Sequence, residues 1–187
     1  MQRRVDPFLK RLHVTTVLTG VMCLASAQAN ALPSGGVVAG GSAGISSSGS
    51  TTTITQSSSR AIVNWQNFDV GSGESVNFNQ PSASAITLNR VTSGGASQID
   101  GNINANGQVW IVNPQGMFFG SGSQVNVGGL LATTSNISDN NFMSGNYVFD
   151  QVGNALASIT NAGTIHIADG GLAALVGPNG SNSGVIT

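Results

Sequence analysis

The chain is short of charge. Asp, Glu, Lys and Arg make up 7% of its 187 residues, against about 25% in an ordinary soluble domain. Four of the six basic residues, Arg3, Arg4, Lys10 and Arg11, crowd the N-terminus. Beyond residue 31 only Arg60 and Arg90 stand against Asp69, Glu74, Asp100, Asp139, Asp150 and Asp169, a net charge of −4. Two arginines cannot form the basic stripe that nucleic acid requires, nor hold a surface to anionic lipid, so no nucleic-acid partner is expected. Cysteine is nearly absent: Cys23 is the single one, and it lies in an apolar run near the N-terminus. A chain processed beyond that point has no disulfide and no thiol chemistry. The six acids are scattered, whereas carboxylate catalysis needs a facing pair, and no enzyme is expected. His166, between Ile165 and Ile167, is read as pointing to solvent. Asp69, Asp100 and Asp169 lie near glycine turns but do not recur at the fixed spacing of a repeated calcium turn. No cofactor and no metal are expected.

Glycine, serine, asparagine and threonine fill the gap that charge leaves, yet 40% of the residues are apolar. Many are Val and Ile in alternating positions. The combination points to an all-β protein whose polar faces carry hydroxyls and amides. The N-terminus is separate. A basic start, an apolar run from Val14 to Ala25 too short for a membrane anchor, and small-residue cleavage signals read as a Sec-type signal peptide over residues 1–31. Cleavage falls after Ala29 or, preferred, after Ala31. The processed domain is residues 32–187.

One stretch organises that domain. Gln108 to Gly129 reads as an apolar strand, Val109-Trp110-Ile111-Val112, then the turn Asn113-Pro114-Gln115-Gly116, then Met117-Phe118-Phe119 and an alternating strand Gln124-Val125-Asn126-Val127. Pro114 presets φ, Gly116 supplies permissive geometry and Asn113 can bond the backbone ahead of it. Upstream, Glu74–Asn79 and Ala85–Val91 alternate. Gln98–Asn104 sets Ile99 and Ile103 inward, with Gly101 at a close approach. Downstream, Asp139–Gly145 reads as a loop or the start of an extra-helical hairpin, and Asn146–Asp150 as a hairpin strand.

A repeat closes the chain. Asn161-Ala162-Gly163-Thr164-Ile165-His166 recurs as Asn182-Ser183-Gly184-Val185-Ile186-Thr187, 21 residues on. Gly177-Pro178-Asn179-Gly180 echoes Asn113–Gly116 at close to three such periods. A period near 21 residues with short Ile/Val strands indicates a parallel β-helix. Inward Ile, Val and Ala then stack in columns about 4.8 Å apart, and asparagines can form amide ladders between coils. Roughly seven coils and a rod near 35 Å are expected. The aromatic first half (Trp65, Phe68, Phe78) is the expected cap against edge pairing. With the sequence stopping inside a repeat, the chain is expected to be the front of a longer fibre or a truncated product.

The strings IVNWQNFDVGSGESVNF, ITLNRVTSG, SQIDGNINANGQVWIVNPQG and FFGSGSQVNVGGLLATT, from about Ala61 to Thr134, resemble the N-terminal secretion domain of two-partner-secreted, filamentous haemagglutinin-like exoproteins. The repeats over 161–187 resemble the first β-helical coils that follow in that family. The resemblance implies a right-handed parallel β-helix with an N-terminal β cap and a small extra-helical sheet. It also implies an export module of a Gram-negative bacterium, passed to the periplasm by the Sec machinery. There an outer-membrane β-barrel transporter with POTRA domains would recognise it, leaving it secreted or at the cell surface. Of the family's two tetrapeptides, N-P-N-G maps onto Asn113, Pro114, Gln115 and Gly116, with Gln115 in place of Asn, and N-P-N-L has no counterpart.

The candidate recognition residues are therefore Asn113, Pro114, Gln115 and Gly116, which either set the coil or touch the transporter. Arg90 is a second candidate, paired with an internal acid or contacting the transporter; burial favours the internal pair. Trp65 and Trp110 are read as packing residues rather than sugar platforms. The alternative function is an adhesin that itself binds glycans or proteins of a host-cell surface.

Overall fold

A computed structural model describes residues 31–187; the expected signal segment up to Asn30, with Cys23 and Ala29, lies outside the described residues. In chain order the strands are β1 (Val37–Gly40), β2 (Ala43–Ser48), β3 (Thr51–Gln56), β4 (Arg60–Trp65), β5 (Ser75–Asn79), β6 (Ile86–Val91), β7 (Ser97–Ile99), β8 (Asn102–Ala105), β9 (Gln108–Val112), β10 (Met117–Phe119), β11 (Gln124–Val127) and β12 (Gly129–Thr133). Helix α1 (Asp139–Ser144) follows, then β13 (Ser158–Asn161), β14 (Thr164–Ile167), β15 (Ala173–Val176), β16 (Asn179–Asn182) and β17 (Val185–Ile186).

Three sheets wrap one core. Their orders are β1-β4-β6-β9-β12-β15, β7-β10-β13-β16 and β2-β3-β5-β8-β11-β14-β17. From β6 onward, each set of three consecutive strands places one strand in each sheet, in parallel register with the coil before it. This is a β-helix of about 6 turns, one fewer than expected. The difference lies in residues spent elsewhere: β1 and β2 pair antiparallel, and a long excursion separates β12 from β13. Val76, Ile103, Val125 and Ile165 occupy matching positions of successive coils and are fully buried. Burying such a side chain is worth roughly 1.5–3 kcal/mol, and a column of them sets the register, because a one-residue slip would turn every one outward.

The recurrence at 21 residues is structural. Asn161 pairs with Asn182 and Ile165 with Ile186, and Asn161 Nδ2 donates to Asn182 Oδ1 at 2.8 Å. An outer amide ladder runs along the flat of the third sheet, Asn104 donating to Asn77 at 3.0 Å and Asn126 to Asn104 at 3.4 Å. The Gly177–Gly180 echo of Asn113–Gly116 occupies the same corner, but only two coils on. Val112 pairs with Thr133 and Thr133 with Val176; the excursion lengthens the intervening stretch.

The cap differs from its expected place. Trp65, Phe68 and Phe78 are inside, each 2% exposed or less. The covering strands are the small-residue β1 and β2 ahead of them, and Gly36 lies flat on the Trp65 ring, where a Cβ would come within 2.5 Å. Gly36 is thus a close approach that the indole requires.

Strand β6 is buried on both faces. Its apolar residues Ile86 and Leu88 point away from the helix core, Leu88 in register with Ile62 and Trp110 and Ile86 with Arg60 and Gln108, while Thr87 and Asn89 point in. The inward polar groups are bonded: Trp65 Nε1 donates to Asn89 Oδ1 at 3.0 Å, Gln80 Nε2 to Thr87 Oγ1 at 3.0 Å, and Thr87 Oγ1 to Gln56 Oε1 at 2.5 Å. The outward apolar face is covered by the excursion, which brings Ile137 and Phe142 onto Ile62, Ile86, Leu88 and Val112. The expected loop or hairpin over Asp139–Gly145 is a helical turn. Ser138 Oγ accepts from the Asn141 N–H, and Gly145 ends the helix at φ 81°, a conformation glycine adopts without strain. Asn146–Asp150 is a loop rather than a hairpin strand; the excursion's own β contact is the single bridge Asn136–Gln151.

Candidate functional site

The turn Asn113–Gly116 joins β9 to β10 at the corner where β12 leaves the coil. The Gly116 N–H donates to the Asn113 carbonyl at 3.0 Å, closing a four-residue turn with Pro114 and Gln115 in its centre. The Asn113 side chain is 1% exposed and uses both ends of its amide. Oδ1 accepts from the Gln115 N–H at 2.9 Å; Nδ2 donates to the Gly95 carbonyl and to Ser97 Oγ, each at 3.0 Å. Asn113 therefore stiffens its own turn and ties it to the preceding coil. Gly116 has φ 104°, and a Cβ there would sit 2.5 Å from the Ser158 carbonyl oxygen. Two of the four candidate residues are thus spent on the fold.

Gln115 is different. It is exposed, and its Oε1 accepts from Asn154 Nδ2 at 3.2 Å; the Asn154 N–H also donates to the Pro114 carbonyl at 2.9 Å. Gly153 passes so close to Pro114 and Thr134 that a Cβ would meet the Thr134 carbonyl oxygen at 2.3 Å. The returning arm of the excursion is therefore laced to the turn. Around it stand exposed apolar side chains: Leu156 at 86%, Val152 at 83% and Phe118 at 37%. Sequence reading marked the turn but missed this arm, because its residues carry no periodicity.

Arg90 is a structural clamp. Its Nη1 lies 2.7 Å from Asp139 Oδ1, Nε donates to Asn136 Oδ1 at 2.7 Å, Nη1 to Asn64 Oδ1 at 3.1 Å, and Nη2 to the Ile137 carbonyl at 2.8 Å. The internal pair read from the sequence is present. Arg60 acts on the same segment: Nε donates to Tyr147 Oη at 2.8 Å and Nη1 to the Met143 carbonyl at 3.3 Å. Both arginines beyond residue 31 thus hold the excursion down. Trp110, outward-facing on β9, packs edge-on to Tyr147 at 4.7 Å and to Phe142 at 5.7 Å. His166 is exposed, with Nδ1 3.1 Å from Thr187 Oγ1. Of the two cleavage candidates, Ala31 is described: it is half-buried, and its N–H faces Glu74.

The model of the TPS secretion domain family matches residues 29–187. The chain belongs to the two-partner secretion domain family. In the crystal structure of the HMW1 secretion domain from Haemophilus influenzae, 82% of this chain superposes on 41% of that one, at a TM-score of 0.78 and 37% identity. Two proteins named heme/hemopexin-binding protein, also from Haemophilus influenzae, are 41% identical over 138 residues and 43% identical over 97. These matches cover 72% and 52% of this chain but only 15% and 10% of the relatives. The matched segment is the secretion domain of exoproteins that leave through a Gram-negative outer-membrane pathway with a partner transporter.

Proposed function

We propose that this domain is the export module of a filamentous haemagglutinin-like exoprotein, delivered to the periplasm by the Sec machinery and recognised there by the POTRA domains of an outer-membrane β-barrel transporter. The observation that carries this reading is the corner itself. It presents an exposed amide, Gln115, on a turn made rigid by the buried Asn113, with Leu156, Val152 and Phe118 beside it. A rigid polar group rimmed by unpartnered apolar side chains is the surface form that a protein partner uses. In this reading Asn113 and Gly116 hold the corner, and Gln115 and Leu156 make the contact.

The same module starts β-helix folding at the cell surface. The antiparallel β1 and β2 cover the early side of the first and third sheets, and the Val70–Ile99 bridge meets the early edge of β7 in the second, while β15, β16 and β17 each pair on one edge only. Growth is thereby directed one way: in a longer exoprotein the next coil pairs on those edges, as in any nearest-neighbour solenoid.

Binding of the exported domain to the soluble POTRA domains of its cognate transporter tests the recognition. Gln115→Ala and Leu156→Ser are expected to weaken binding at least about tenfold and to reduce secretion, with melting temperature unchanged. Unchanged binding and secretion in both variants would exclude this corner as the contact. Direct adhesion has one feature in its favour, an open amide-lined groove of about 590 Å³ between Thr53, Asn77, Asn104 and Asn126. Binding of glycans or cell surfaces by the purified domain, lost on Asn104→Ala, would favour that reading.

A further inference from the structure

The strands of the third sheet, β2, β3, β5, β8, β11, β14 and β17, contain no Asp, Glu, Lys or Arg. Their register sets Thr53, Asn77, Asn104 and Asn126 in one outward column across β3, β5, β8 and β11. The open groove of about 590 Å³ follows that column and takes in Asn79 and Asn106 beside it. The ladder fixes these amides. Asn104 is used at both ends, donating to Asn77 Oδ1 at 3.0 Å and accepting from Asn126 Nδ2 at 3.4 Å. Asn106 is used at both ends as well, on the backbone of Gln80. Four polar groups are left without a partner among the described residues: the Asn77 N–H donor, the Asn126 carbonyl, the Asn79 amide and the Thr53 hydroxyl.

We propose that this groove binds an uncharged oligosaccharide, laid along the coil axis with one sugar ring to each coil. The proposal rests on the adhesion reading and names what that face would hold. Charge decides the class. An acidic glycan needs cations, and both arginines beyond residue 31 are committed to the excursion on the first sheet. An apolar ligand would strip water from amides that it could not bond. A peptide strand sends its own N–H and C=O sideways to a sheet edge, not down onto a sheet face. A sugar ring carries hydroxyls around its rim, each donor and acceptor at once. One chain can therefore meet the Asn77 N–H, the Asn126 carbonyl and the Thr53 hydroxyl. Coils lie about 4.8 Å apart, close to the length of one pyranose in an extended chain. Held by Asn104, the flanking amides lose little freedom on binding. Phe78, the aromatic residue of the groove, faces the core, so selection is by hydrogen bonds and not by stacking.

Side-chain amide NMR signals of the isotope-labelled domain, followed as oligosaccharide is added, test this directly. Maltohexaose, cellohexaose and mannohexaose are the neutral probes, and hexagalacturonate is the charged one. At least one neutral probe should shift the Asn77, Asn79 and Asn126 signals, and hexagalacturonate should not. Asn77→Ala and Thr53→Val should each weaken that binding about fivefold, as one lost hydrogen bond does. Thr53→Val keeps a β-branched residue on the strand and serves if Asn77→Ala does not fold. No shift with any neutral probe overturns the proposal. So does an equal shift with hexagalacturonate, binding untouched by both substitutions, or a neutral Gly-Ser peptide that moves the same signals more strongly than any sugar. Attachment of the domain to cells without oligosaccharide binding would overturn the ligand class and leave adhesion standing. Oligosaccharide binding without attachment would uphold the groove and remove adhesion.

Discussion

Arg90 on β6 holds Asp139, the first residue of α1, at 2.7 Å, with the arginine side chain 10% exposed and the aspartate 50%. This contact crosses from the β-helix wall to the segment that covers it. It converts an apolar outer face into a second, smaller core. Without the clamp, Ile62, Ile86 and Leu88 would face water on a chain that has few charges to keep it soluble.

Replacing Arg90 with Ala should therefore loosen the excursion before the coils. It removes the partner of Asn136, Asn64 and the Ile137 carbonyl as well as of Asp139. Asp139 is half-exposed and can rehydrate, so the expected loss is about 2 kcal/mol rather than the larger figure for a fully buried pair. Arg90→Lys should recover only part of it, since an ammonium cannot reproduce the guanidinium fork. Urea unfolding gives the magnitude, and limited proteolysis should cut first between residues 140 and 157.

Trp110→Ala should act on the same segment from the other side. The indole carries Phe142, Tyr147 and Phe149 around it. A loss of about 3 kcal/mol is expected for truncating a packed tryptophan, accompanied by binding of a hydrophobic dye to the uncovered β4-β6-β9 face. Unaltered stability would mean that the excursion does not rest on this ring.

How far the fold was legible depends on periodicity. The coil from Gln108 to Gly129 could be read as strands because its apolar residues cluster on either side of the turn; Trp110, Ile111, Phe118 and Phe119 read alike as packing residues, yet Ile111 and Phe119 are buried while Phe118 is 37% exposed, because an unbroken apolar run does not report which residue faces in. The repeat from Asn161 to Asn182 could be read because the same corner amide recurs and bonds across coils. In β6 alternation was correct but its sense could not be known: Ile86 and Leu88 face out because something distant covers them. Helix α1 is six residues of mostly polar sequence, too short for a 3.6-residue pattern to register, although Ser138 and Gly145 carry its start and stop signals. At the turn, residue types identified the corner. They could not divide it into buried Asn113 and exposed Gln115, nor reveal the arm from Val152 to Leu156 lying against it.

Asn113 and Gln115 should separate in stability measurements. Asn113→Ala leaves the Gln115 N–H, the Gly95 carbonyl and Ser97 Oγ without this partner, at an expected cost of about 2 kcal/mol. Asn113→Asp should not rescue it, because a carboxylate keeps the acceptor but sets negative charge against the Gly95 carbonyl. Gln115→Ala should stay within about 0.5 kcal/mol of the parent, as an exposed substitution does. Thermal or urea unfolding of the three variants is sufficient, and equal losses at the two positions would contradict the division of roles.

Gly116→Ala is the sharpest test of the corner's geometry, and Gly49→Ala is its control. Both glycines have positive φ, 104° and 55°. Near Gly49 a new Cβ would find open space, while at Gly116 it would come within 2.5 Å of the Ser158 carbonyl oxygen. The control therefore isolates backbone strain, about 1 kcal/mol. Gly116→Ala adds a clash with the next coil that only displacement of β13 can relieve, so a total of roughly 3 kcal/mol or more is expected. The displacement should also disturb the Pro114–Asn154 contact, and secretion should fall with stability. If Gly116→Ala melts with Gly49→Ala, the corner is not packed against Ser158 as described.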